Sequence, residues 1–92
     1  MIVGTLRVRL LLRGARTLKE KRQTLQSIKD RLRQSFNVSV AEIEATDNRQ
    51  MIVLGMAIVG KAAHPLKKTL GEIVEALKAH PIAEFLDCEL DV

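Results

Sequence analysis

The stretch Ile2–Phe36, IVGTLRVRLLLRGARTLKEKRQTLQSIKDRLRQSF, decides the fold because its apolar period changes part-way along. In the first eleven residues Ile2, Leu6, Val8, Leu10 and Leu12 alternate with Val3, Thr5, Arg7, Arg9 and Leu11. A period of two predicts a strand with one apolar face and one mixed face. Arg13-Gly14-Ala15-Arg16 closes it, and Thr17-Leu18-Lys19-Glu20 has the form of a capping box. There the Thr17 hydroxyl accepts from the Glu20 N–H while Glu20 reaches back to the Thr17 N–H. Leu18, Leu25, Ile28, Leu32 and Phe36 follow at helical spacing, one stripe of an amphipathic helix of about five turns.

Beyond Phe36 the period shortens again. FNVSVAEIEAT (36–46) predicts a second strand with Val38, Val40 and Ile43 as its apolar positions and a bulge where Val40 and Ala41 exchange faces. Asp47-Asn48-Arg49 is turn chemistry between two strand-like runs, hence a hairpin. MIVLGMAIV (51–59) is apolar on both faces, as a central strand is. Its larger side chains, Ile52, Leu54, Met56 and Ile58, are assigned to the core, and Val53, Gly55, Ala57 and Val59 to an open face. Pro65 suits a helix's first turn, Leu66, Leu70, Ile73, Val74 and Leu77 make a second stripe, and His80-Pro81 ends it. The last run sets Leu86, Cys88, Leu90 and Val92 inward against Phe85, Asp87, Glu89 and Asp91, making Cys88 a small core residue. The order βαββαβ predicts an α+β, ferredoxin-like sandwich: a four-stranded antiparallel sheet of order 4-1-3-2 with both helices on one face. No linker or repeat divides residues 1–92, so a single domain is expected.

Composition narrows the chemistry. One cysteine allows neither an internal disulfide nor a thiolate metal cluster. Arg7 and Arg9 interrupt the apolar start, so it does not read as a signal peptide, and no run reaches the roughly 18–20 apolar residues of a membrane span. A cytoplasmic protein without membrane contact is expected. Phe36 and Phe85 are the only aromatics, too few for a base-stacking platform. His64 and His80 each precede a proline at a helix boundary, Ser27, Ser35 and Ser39 have no evident base, and Glu42 and Glu44 share a strand face without an arguable pocket. The five glycines form neither a P-loop nor a dinucleotide fingerprint. The expectation is a protein that is not an enzyme and has no metal and no cofactor.

Charge is the informative feature. Residues 1–35 hold ten Lys/Arg and two acids, a balance of +8, while residues 36–92 hold five Lys/Arg and nine acids, a balance of −4. On the first strand Arg7 and Arg9 are expected to pair with the acids of the last strand. On a helical wheel with Leu25 at zero and about 100° per residue, Lys29, Arg22, Arg33 and Lys19 fall at about 40°, 60°, 80° and 120°. They form a ridge of about 21 Å on one flank. Lys21 and Arg31, at about 320° and 240°, fall on the other flank. Arg13 and Arg16 lie near the helix N-terminus, which itself favours anions. The ordinary alternative is a solvated face, but a helix built for solubility mixes signs at i,i+4 spacing. The candidate nucleic-acid contacts are Arg16, Lys19, Arg22, Lys29 and Arg33, directed at phosphate and therefore sensitive to salt.

The stretch from Arg7 to Ile43, with T-L-K-E-K-R at 17–22 and F-N-V-S-V-A-E at 36–42, resembles the YlxP-like family of small bacterial proteins. The likeness extends over essentially the whole chain, including M-I-V-G at its start. It implies a ferredoxin-like fold of this length and a setting among translation and ribosome-maturation factors, with a ribosomal subunit or rRNA as partner. It carries no catalytic residues. It places the basic motif at Lys19, Lys21 and Arg22 and the strand motif at Phe36, Asn37, Ser39 and Glu42. The leading expectation is a non-enzymatic ribosome- or RNA-associated factor. The rival is a homo-oligomeric interaction module, a homodimer joined through the open sheet face.

Overall fold

The computed structural model describes residues 1–92 and has the expected element order. It runs β1 (Ile2–Leu11), α1 (Leu18–Ser35), β2 (Ser39–Glu44), β3 (Met51–Gly60), α2 (Ala63–Lys78), β4 (Glu84–Asp91). The strands form one antiparallel sheet in the order β2-β3-β1-β4, the expected 4-1-3-2 read from the other edge. Period-two alternation buries Leu6, Val8 and Leu10 of β1 and Ile52, Leu54, Met56 and Ile58 of β3 against Leu25, Ile28 and Leu32 of α1 and Leu66, Leu70, Ile73, Val74 and Leu77 of α2. Both helical stripes therefore cover the same face. At Gly4 the α2 side chain of Leu70 comes within 3.0 Å of where a Cβ would stand, so the helix approaches β1 closely there.

The ends of α1 follow from local chemistry. Thr17 accepts from the Glu20 N–H at 3.1 Å, but Glu20 reaches the Arg16 N–H at 2.7 Å rather than that of Thr17. At the other end Phe36 leaves the helix in an extended conformation, its N–H bonded to the Leu32 carbonyl, and packs on the core edge. No helix is long and apolar enough to cross a membrane.

Three strand details depart from the alternation. In β2 the bulge lies between Glu42 and Glu44, not at Val40 and Ala41. It turns Ile43 out of the core to the open face, where it is 48% exposed. Ile43 lies over Gly55, and a Cβ there would stand 2.8 Å from its Cγ2. Gly55→Ala is therefore expected to lose about 1 kcal/mol, an overpacking cost of about 1–3 kcal/mol partly offset by lower chain entropy in the unfolded state. Adding Ile43→Ala removes the clash, and urea denaturation should find the double variant more stable than Gly55→Ala alone.

In β4 a second irregularity, where the register with β1 shifts between Arg9 and Leu10, brings Phe85 opposite Leu10 and onto the core edge, reversing its expected face. The Lys78 ammonium lies 5.5 Å from its ring centroid. Cys88 and Leu90 share the faces of Val8 and Leu6, as expected, yet both are exposed because β4 is the outer strand and the helices leave its far half uncovered. Cys88 is thus not a core residue. Val53 does lie on the open face but is only 3% exposed, flanked in register by Arg9 and Glu44.

Candidate nucleic-acid interface

The open face of the sheet is a layer of ion pairs. Arg9 bonds Asp87 through two nitrogens, its Nε lying 2.9 Å from Oδ1, and Arg13 bonds Glu84 at 2.6 Å. Arg7, expected to pair with an acid of β4, where its register neighbour is Glu89, instead reaches Glu44 on β2 at 2.9 Å. To do so it spans β3, where its register partner Gly55 presents no side chain. Hydrogen bonds from Arg13 and Arg9 hold the Glu84 and Asp87 carboxyls below the ordinary carboxylate range. Each Arg in turn titrates above its ordinary value. Arg13 is accordingly committed to β4 rather than to the α1 N-terminus. Glu89 and Asp91 remain without a cationic partner.

The five candidates, four on α1 and Arg16 just before its cap, separate into two groups. Arg16, Lys19 and Arg22 are exposed and Lys29 half-buried, and none of the four has an acidic partner. Arg33 differs. Its guanidinium donates to the Val40 carbonyl at 3.1 Å and lies 3.9 Å from Asp30. It fastens α1 to the outer strand β2, which has a free edge to be covered. Asp30 also accepts from Gln26 at 2.8 Å, so the one acid on this side is occupied. Without Arg33 the ridge from Lys19 to Lys29 is about 15 Å long.

Lys21 is the correction with the largest structural weight. Expected on an exposed flank, it is fully buried, the only charged residue in the core. Its wheel angle of about 320° falls inside the apolar stripe, which runs from about 300° to 20°. Its Nζ donates to the Ala45 and Asn48 carbonyls at 2.8 and 2.6 Å and sits 2.8 Å from Glu42 Oε2. The approach to Glu42 is off hydrogen-bond angle, so that half-buried carboxylate is held by charge rather than by a directed bond. An ammonium has three donors, and three oxygens surround this one. They come from the β2–β3 hairpin, where Ala45 has a left-handed φ of 57° and Asn48 Oδ1 accepts from the Gln50 and Met51 N–H groups. Glu42, read from the sequence as a carboxylate without a pocket, is thus the partner of Lys21.

The two stretches T-L-K-E-K-R and F-N-V-S-V-A-E therefore meet in space, joined through Lys21 and Glu42. Comparison with known proteins agrees on the family. A family model described as "Protein of unknown function (DUF503)" matches residues 3–90. The chain belongs to the DUF503 family. Within it, the chain is 30% identical over 83 residues, 90% of each chain, to a protein of Bacillus subtilis (strain 168) described as "Uncharacterized protein YlxP". In this DUF503 chain the conspicuous motif lysine, Lys21, is buried in the fold, while its neighbours Lys19 and Arg22 are exposed.

The charge asymmetry along the chain becomes one across the molecule. The sheet's open side carries Arg7, Arg9 and Arg13 against Glu44, Glu84, Asp87, Glu89 and Asp91, whereas α1 carries six cations and two acids. His80 Nδ1 accepts from the Ile82 and Ala83 N–H groups, forming the turn into β4.

Proposed function

We propose that the protein is a non-enzymatic factor that binds the phosphate backbone of RNA, on a ribosomal subunit, through one flank of α1. A single contrast carries this reading. Every cation of the sheet layer has a carboxylate partner, while Arg16, Lys19, Arg22 and Lys29 have none. Three unpaired charges over about three turns of helix, with Arg16 just before its cap, make an electrostatic footprint for a polyanion. With no aromatic residue beside them, recognition rests on phosphate and shape rather than on base stacking. A cytoplasmic location, where ribosomes work, goes with this reading.

The test is binding to purified ribosomal subunits and to bulk RNA across a salt series. Four phosphate contacts at about 0.7–0.9 each give a slope of log K against log salt of about −3. A slope near zero overturns the proposal. One observation favours a second reading, a homodimer through the open sheet face. Val3 and Val59 are register partners there, 47% and 61% exposed. A monomeric mass by light scattering at high protein concentration removes it.

A further inference from the structure

Between α1 and the C-terminal end of α2 lies a cleft of about 350 Å³, within the range of small-molecule sites. Its accessible apolar lining comes from Phe36, Ala76 and Ala79 over a floor of the buried Ile28, Leu32 and Leu77, and no Asp or Glu lines it. Its polar lining is Arg31, Gln34, Ser35 and His80, of which the two ionisable groups set its charge preference. Arg31, on the flank of α1 away from the RNA ridge, is exposed and has no acidic partner. The second is His80, whose Nδ1 already accepts two backbone N–H bonds, at 3.2 and 3.0 Å. That acceptance places the ring proton on Nε2, a donor on the ring that lines the cleft. Burial, and then the charge of Arg31, hold the imidazole below its ordinary pKa and so keep it neutral near pH 7.

We propose that this cleft binds a small amphipathic carboxylate, its apolar body on Phe36, Ala76 and Ala79 and its carboxylate on Arg31 and the His80 Nε2–H. A planar monoanion matches one guanidinium fork and one neutral N–H donor. A phosphate dianion would leave part of its charge uncompensated, and a cation would meet Arg31 without any counter-charge. The cleft and the RNA ridge use different side chains of α1, so either proposal can fail without the other.

The probe is octanoate, titrated into the folded protein and followed by backbone amide chemical shifts, with octylammonium as the control of equal chain length and opposite charge. Saturable shifts are expected for residues 28–36 and 76–83 with octanoate and not with octylammonium. Arg31→Gln is expected to weaken octanoate about tenfold or more, the value of a charge-assisted hydrogen bond. This variant retains the fold because Arg31 is exposed and bridges nothing. Absence of saturable shifts, equal response to octylammonium, unchanged affinity in Arg31→Gln, or shifts centred on Lys19, Arg22 and Lys29 each overturn the proposal.

Discussion

Lys21→Met is expected to cost about 3–5 kcal/mol of folding stability, because it breaks a buried ion pair by removing one partner. The methionine fills most of the space but leaves Glu42 half-buried, with a charge that nothing compensates. It also strips a donor from the Ala45 and Asn48 carbonyls. The Ala45 oxygen keeps the Asn48 N–H at 3.0 Å, whereas the Asn48 oxygen loses its only protein donor. The hairpin then has less to hold Ala45 in its left-handed conformation, which an alanine adopts at a cost. Against a total of about 5–15 kcal/mol for a domain, a loss of this size is a large fraction. Urea denaturation should show the midpoint falling with little change in slope. Lys21→Met combined with Glu42→Leu removes both charges, and since apolar replacement of a whole buried pair is often neutral, the double variant should recover much of the loss. The cycle separates a true coupling from a general effect of altering the core. A loss below about 1 kcal/mol for Lys21→Met, small for any buried group stripped of its partners, would show that the pair contributes little.

That residue also marks how far the sequence could be read. Element order, strand order and both helical stripes follow from apolar periodicity, because burial on one face of a two-layer sandwich imposes that period directly. What periodicity cannot see is a change of face within a strand. The bulge at Ile43 depends on space left by Gly55 on the next strand, and the shift that turns Phe85 inward depends on its register with Leu10. Neither is encoded in the local alternation. Lys21 was legible in part. An angle of about 320° within an apolar stripe is a core position whatever the residue type. What the wheel lacks is the triad of hairpin oxygens, contributed from residues 42–48, that makes burial of an ammonium tolerable. Of the two ion pairs expected on the open face, Arg9 takes its acid from β4, whereas Arg7 crosses β3 to Glu44. A long side chain reaches past the adjacent strand where the register position there is a glycine. Among the candidate contacts, only tertiary structure distinguishes Arg33, which is bound to β2, from four cations of the same type bound to nothing.

Replacing Arg16, Lys19, Arg22 and Lys29 together with glutamine is expected to abolish RNA binding while leaving the protein folded. Each charge near a phosphate in a solvated setting is worth about 1 kcal/mol at contact distance, so four make roughly a thousandfold in affinity. The salt slope of about −3 should collapse towards zero with them, because no counterions are left to be released. Stability should change by no more than about 0.5 kcal/mol, since none of the four forms an ion pair and glutamine is a good helix former. Arg33→Gln is the informative opposite. It removes the donor to the Val40 carbonyl and the tie between α1 and the β2 edge, so it should lower the unfolding midpoint, yet the salt slope should stay at the parent's value, where loss of a phosphate contact would reduce it by about 0.7–0.9. Glutamine in all five positions would confuse the two effects. Keeping them apart turns the geometry into a prediction with two signs, binding without stability for the four and stability without binding for the fifth. If instead the fourfold variant sediments with ribosomal subunits as the parent does, the ridge is only a solvated helix face, and the unpaired charges serve solubility.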